Sequence, residues 1–193
     1  MKKLFAICAV AFAAYAFQSC SGAKKGGETA DSTTTTKDST SSTVSSTTAA
    51  DSADVKFAHK AAMGGLAEVA LGRLARQKST DLQIQNFGDM MVTDHGKAND
   101  ELKGIAKAKN IALPDSVDAE HQQKMNDIAA LSGKDFDKAY VDAMIDGHKR
   151  TLTLMQEEAA NGKDPDLKAF AAKVAPTVQM HLDAINKIHD SLK

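Results

Sequence analysis

The 193-residue chain has no tryptophan, two tyrosines and two cysteines, and aromatic residues make up only 5 % of it. It has no excess of basic charge either, since 24 lysines and arginines stand against 25 aspartates and glutamates. A nucleic-acid-binding surface needs a basic patch, so that class of partner is excluded. Alternating runs of β-branched residues are absent, while alanine, leucine, lysine and methionine dominate, which argues against strands. There is no Ser-His-Asp grouping and no phosphate-cradling glycine loop, so no catalytic residue is assigned and enzyme activity is not indicated. The longest apolar stretch, 4–17, falls short of the roughly 20 residues that a spanning helix needs.

That stretch carries its charge only in front, on Lys2 and Lys3, and closes on Gln18-Ser19-Cys20, the three-part layout of a secretory signal over residues 1–19. Phe17-Gln18-Ser19-Cys20 resembles the lipobox of bacterial lipoproteins, which implies that Cys20 becomes the lipidated first residue of the mature chain. Cys8 would leave with the signal, and an acylated Cys20 leaves no thiol for a disulfide, a thiolate metal site or a nucleophile. Loss of Lys2 and Lys3 leaves 22 basic against 25 acidic residues, a net charge of −3 before histidines. The expected setting is the cell envelope, with the membrane as partner through the lipid, on the outer membrane facing the periplasm or the surface.

From Cys20 to Ala53 the composition is Ser, Thr, Gly, Lys and Asp, with Val44 the only large apolar side chain. That is too little to offset the entropy of ordering, so the segment reads as a disordered tether with an r.m.s. reach of roughly 30 Å. Within it Ser32, Ser39 and Ser52 each follow an aspartate and precede a small residue, which resembles the O-glycosylation sites of exported Bacteroidetes proteins. Solvated low complexity is the plainer reading.

Residues 54–193 read as helical. Four long segments are expected at about 54–77, 81–109, 134–160 and 165–191, with a short helix at about 118–131. Ser79 or Thr80 can cap the second segment, Asn110 and Pro114 end it, and Asp164-Pro165 is an N-cap followed by proline at the first helical position. Pro176 falls opposite the stripe Leu167, Phe170, Val174, Val178 and Ile185, where a bend curves the helix around the core. Short connections after the first and third long helices force antiparallel neighbours, and the long connection between the second and third can run the length of a bundle. The expected fold is all-α, a ferritin-like four-helix bundle with a long crossover containing a short helix.

Each apolar stripe is interrupted once or twice by a polar residue. Glu68 lies in line with Phe57, Ala61, Gly64, Leu71 and Ala75; His95 with Ile84, Met91, Ala98 and Leu102, with Asp94 at the edge. His148 sits among Tyr140, Val141, Met144, Leu152 and Met155, with Asp137 further back on the same face, and His181 continues Phe170, Val174 and Ile188. Counting from the short loops at 1.5 Å per residue puts Glu68, His95, His148 and His181 within about 9 Å of one another along the axis. Two readings follow. Imidazole and carboxylate at one depth suit a transition metal ion such as iron, copper or zinc. Alternatively each histidine bonds privately to an acid, Glu68 with His95 or Asp137 with a facing histidine, and needs no metal. Met91 and Met144 precede His95 and His148 by four residues; a thioether beside an imidazole suits copper(I), and methionine also fills irregular cores. Gly64-Gly65 reads as close helix packing, and Tyr140 as a packed residue with a hydrogen-bonded hydroxyl.

Gly-Gly-Leu-Ala-Glu-Val-Ala-Leu-Gly-Arg-Leu-Ala around Glu68, Met91-Val92-Thr93-Asp94-His95, Phe136-Asp137-Lys138-Ala139-Tyr140, His148, and Pro176 with His181 together resemble the domain of unknown function 4142 family over about Val55 to Lys193. The resemblance implies an exported, ferritin-like protein and no agreed activity. Diiron bundles carry Glu-x-x-His on two helices, whereas here the residues three before His95, His148 and His181 are Val92, Ile145 and Val178, so a carboxylate-rich iron centre is not indicated. Two function classes remain. One is a metal-binding envelope protein linked to metal or oxidative stress, and the other is a non-catalytic structural or interaction module.

If Cys20 carries the lipid, Cys20→Ser moves the protein from the membrane fraction to the soluble one with its helical content intact. Fractionation identical to the wild type rejects the anchor.

Overall fold

The computed structural model describes residues 51–192, so the signal segment, Cys20, Ser32 and Ser39 lie outside the described residues. Five helices follow in order: α1 (Ser52–Lys78), α2 (Leu82–Ala108), α3 (Ala119–Ala130), α4 (Gly133–Asn161) and α5 (Pro165–Ser191). All described regular structure is helical. The chain is an all-α, ferritin-like bundle in which the hairpins α1–α2 and α4–α5 pair antiparallel and close through α1 against α4 and α2 against α5. The crossover carries α3, which rests on α1 and α4.

The caps explain the boundaries. Asp51, Asp81, Asp118 and Asp164 each accept a backbone N–H of the first turn they precede, meeting donors that a helix start leaves unpaired. The acceptor for α2 is therefore Asp81 and not Ser79 or Thr80; Ser79 instead ends α1 and receives the Asp81 N–H on its hydroxyl at 3.1 Å. Asn110 adopts a left-handed backbone, φ 56°, and so stops α2 as expected. The helical region begins earlier than expected, because Asp51 caps α1 and Ser52 is its first residue. Ser52 is exposed, but in a helical turn and not in a coil.

Glycine permits close helix contact at Gly65, as the pair Gly64-Gly65 suggested, and a backbone-to-backbone contact further along α1. A Cβ on Gly72 would lie 2.7 Å from the carbonyl oxygen of Gly88, and one on Gly88 would lie 2.6 Å from that of Gly72, so α1 and α2 touch backbone to backbone. Gly64 has only Thr151 Oγ1 within reach of such an atom, at 3.8 Å, and Gly65 faces the flexible side chain of Asn99.

The core divides into two apolar clusters. One gathers Leu71, Ile84, Phe87, Met91, Tyr140 and Ile185, and the other Phe57, Leu102, Met155, Leu167, Phe170 and Val178. On every long helix one buried polar residue lies in sequence between the two sets: Glu68 on α1, His95 on α2, His148 on α4 and His181 on α5. Pro176 is exposed, as its place opposite the stripe requires. No helix among the described residues is long and apolar enough to cross a membrane.

At the far end, Asp54 is 1 % exposed and pins the α4–α5 turn by accepting the backbone N–H groups of Lys163 and Asp164. Glu158 lies buried beside it with Oε1 unpartnered, and any side chain at position 162 would meet that oxygen at 2.5 Å. Burial, then the charges of Asp54 and Asp164, push the Glu158 carboxyl up to about 7. Its folded-state value lies above the unfolded one, so folding retains a proton, and stability falls as pH rises from the ordinary glutamate range to about 7. Glu158→Gln should therefore stabilise the bundle at pH 8, by on the order of 1 kcal/mol after allowance for solvent screening, and have little effect at pH 4.5. Urea midpoints at the two pH values check this; equal changes at both reject it.

Candidate metal centre

The polar layer is built from four helices, one side chain each. Glu68 is 4 % exposed, His95 5 %, and His148 and His181 are wholly buried. The heptad-like spacing that packs each stripe inward carries these residues with it, because a side chain on the core face of a helix has nowhere else to point.

Glu68 holds the layer on one side. Its Oε2 lies 2.9 Å from Nδ1 of His95 and its Oε1 3.7 Å from Nδ1 of His148, and Oε1 also receives the Thr151 hydroxyl at 3.4 Å. His148 Nδ1 donates to the carbonyl oxygen of Met144 at 2.8 Å. His181 Nε2 donates to Asp94 Oδ2 at 3.1 Å. Each imidazole thus has one nitrogen beside an outward acceptor; in a neutral ring the proton sits there and the other nitrogen keeps a lone pair. Those others, His95 Nε2, His148 Nε2 and His181 Nδ1, are buried and have no hydrogen-bond partner. One ligand nitrogen from each histidine lies within 4.8 Å of the others, and the ring centroids form a near-equilateral triangle with sides of 5.5, 5.2 and 5.5 Å.

The electrostatics follow from burial and one negative charge. Burial alone would raise the Glu68 carboxyl, but His95 first, then His148 and His181, hold it down at about 2. Burial likewise works against charge on His95, yet the Glu68 carboxylate prevails and raises it. His148 is lowered by burial despite Glu68, and His181 is lowered to about 4 by burial and then by the neighbouring His95.

The secondary candidates separate. Asp94 joins the centre behind His181, with a side chain 30 % exposed. Asp137 does not: it stands three turns before His148, buried at the end of the bundle on a pocket with Thr80, Asp81 and His189, and its Oδ1 is unpartnered. The facing histidine there is His189, which lies 3.4 Å from Asp190 and 3.9 Å from Asp142, and no bond joins it to Asp137 among the described residues. Met91 and Met144 belong to the apolar cluster beside the triad; Met91 is fully buried against the Gly72 crossing, and Met144 serves His148 through its carbonyl. The Tyr140 hydroxyl is buried without a hydrogen-bond partner, contrary to expectation, and burial, then the Glu68 charge, raise it. Sequence reasoning missed Phe87, whose ring centroid lies 5.9 Å from His148 and 6.3 Å from His181, and Thr151. Phe87 occupies the α2 stripe two turns before His95, a position legible only as core.

A ferritin-like bundle with three buried imidazoles converging at mid-height is the class that the geometry defines. The family model described as Domain of unknown function (DUF4142) matches residues 39–188, and the chain belongs to that family. Among solved structures, a crystal structure of a DUF305 fragment from Deinococcus radiodurans is similar at a TM-score of 0.66 and 9 % identity, covering 75 % of this chain and 99 % of that one. At that identity the likeness concerns the fold alone. No curated protein matches the chain in sequence.

Removing Glu68 tests the layer as a unit. Glu68→Ala strands the outward nitrogen of His95 in the core, and loss of one partner of a buried pair costs about 3 kcal/mol or more. Chemical denaturation checks this, and an unchanged midpoint means that the layer does not rest on that carboxylate.

Proposed function

We propose that this chain is a cell-envelope lipoprotein whose bundle binds one divalent transition-metal ion through His95, His148 and His181. One observation carries the reading: three buried imidazole nitrogens lack hydrogen-bond partners on rings whose ligand atoms lie within 4.8 Å of one another, while the opposite nitrogen of each ring lies beside Glu68, the Met144 carbonyl or Asp94. Metal-binding histidines are oriented in this way, by an acceptor on the far nitrogen that fixes the tautomer and strengthens the ligand. Without an ion, three unpartnered nitrogens in the core each carry a desolvation penalty.

The donor set narrows the ion. Imidazole suits zinc, copper and iron in their divalent states. Glu68, held ionised, and Asp94 place two carboxylates behind the rings, which balances a charge of +2 better than the +1 of copper(I). A tetrahedral ion spaces nitrogen ligands roughly 3.3 Å apart, so the triad needs only a modest contraction from its 4.8 Å limit. Three nitrogens leave one position for water or a small ligand. A single such ion on a tethered domain fits buffering or sensing of metal in the envelope, with a link to metal or oxidative stress, better than storage.

The experiment is metal analysis and thermal melting of the purified chain with Zn2+, Cu2+ or Fe2+. The wild type is expected to hold about one ion and to gain about 2.7 kcal/mol of stability at a hundredfold excess over Kd, and His148→Ala to lose that gain. A wild-type chain that melts identically with and without all three ions rejects the site and leaves the structural or interaction module as the reading.

A further inference from the structure

Two grooves reach the polar layer from opposite sides of the bundle. The one between α1 and α4, of about 400 Å³, has Glu68 and Met144 in its wall but none of the three clustered imidazoles. Its lining mixes Lys60, Lys124 and Arg150 with Asp118, Glu120 and His121, so charge does not decide against it and the absence of the rings does. The one between α2 and α5, of about 310 Å³, is lined by His95 and His181 themselves, together with Asp94, Glu101, Lys173 and Thr177. It therefore meets two of the three rings whose inner nitrogens lack partners.

We infer that metal ions enter and leave the triad through the α2–α5 groove, with the Lys173–Glu101 ion pair spanning its mouth. The inference rests on the tris-histidine reading and adds to it a route and a barrier. Asp94 is the first buried-side anion on this path: its side chain is 30 % exposed, and its Oδ2 already holds His181 Nε2 at 3.1 Å. A hydrated cation drawn to that carboxylate sheds water one imidazole away from the triad. Lys173 on α5 reaches Glu101 on α2, with Nζ 2.8 Å from Oε2, so a cationic group and a tie between two helices stand at the opening. Helix α2 packs mainly on α1, and α5 mainly on α4, so separation of α2 from α5 disturbs the less extensive of the contacts each makes. The α1–α4 groove ends instead on Glu68, behind the rings, at the nitrogens already committed to acceptors.

The test uses Co2+ uptake by the purified chain, followed by visible absorption, with release measured by transfer to a chelator. Thr177→Phe fills the α2–α5 groove and should slow uptake and release alike, about tenfold, with Kd changed by no more than about threefold. Gly147→Leu fills the α1–α4 groove, where a Cβ at 147 finds only Glu68 Oε1, at 3.9 Å; with Kd within about threefold of the wild type as the check that Glu68 still holds the rings, it should leave both rates unchanged. Lys173→Ala, on the exposed rim, should speed both. Should Thr177→Phe fail to fold by circular dichroism, Lys173→Ala decides, and rates equal to the wild type overturn the route. A folded Thr177→Phe that loads at the wild-type rate, or slowing by Gly147→Leu, also overturns it. A chain that binds neither Co2+ nor Zn2+ removes the triad reading itself; tight binding with no rate effect removes the route alone.

Discussion

One carboxylate sets the order of the bundle interior. Glu68 is nearly inaccessible, and ionised it has to be matched by charge or hydrogen bonds inside the protein, because desolvating an unpaired carboxylate is prohibitive. The match is made by His95 from the paired helix, His148 from the facing helix α4 and the hydroxyl of Thr151. Those contacts join α1 to α2 and α4 in one layer, and His181 with Asp94 joins α5 to α2. The apolar clusters on either side lack directional contacts of this kind. The polar layer thus adds directional contacts at mid-bundle to the register that the Gly72–Gly88 crossing and the Asp54 contacts also set.

The same logic at the bundle end has a different outcome. Asp54 is as buried as Glu68, but two backbone N–H groups meet it. Glu158 arrives next to it without a donor for Oε1 and in reach of two acidic neighbours, so its proton is retained in place of a partner. Buried acids in one small bundle thus take three solutions: pairing with imidazole, capping of a turn, and neutralisation.

The helices were legible because caps and stripes are local. Asp164-Pro165, Asn110 and the apolar spacing of α4 and α5 are each contained within a few residues, and the loop lengths then fix which helices are neighbours. The four polar interruptions were legible for the same reason. What the sequence withheld depends on rotation and chain direction across helices. Asp137 and His148 share a face of α4, and only the position of the other helices decides that one meets the triad and the other meets the bundle end. Gly72 and Gly88 lie far apart in the chain with no mark distinguishing them from Gly64 and Gly65; their contact follows from where α1 and α2 cross. Phe87 and Glu158 carry no mark in the sequence beyond an apolar and an acidic position, since neither periodicity nor composition reports what lies across an interface.

The triad also constrains what can satisfy it. A proton gained by one imidazole allows that ring to donate its inner N–H to one neighbour, so two of the three inner nitrogens find a partner and the third stays alone. A second proton places like charges on rings whose centroids are 5.2 to 5.5 Å apart, in a site with low dielectric screening. Water inside the triangle donates to two lone pairs, and with His95 protonated, as the Glu68 charge favours, it also accepts from the inner N–H of that ring. A cation accepts all three lone pairs at once. It also leaves undisturbed the outward hydrogen bonds to Asp94 and the Met144 carbonyl, and the Glu68 contact, that hold the rings in place. A cation and a water beside a protonated His95 are thus rival fillings of one triangle, and since the ion has to displace that proton, its hold on the triad weakens as pH falls.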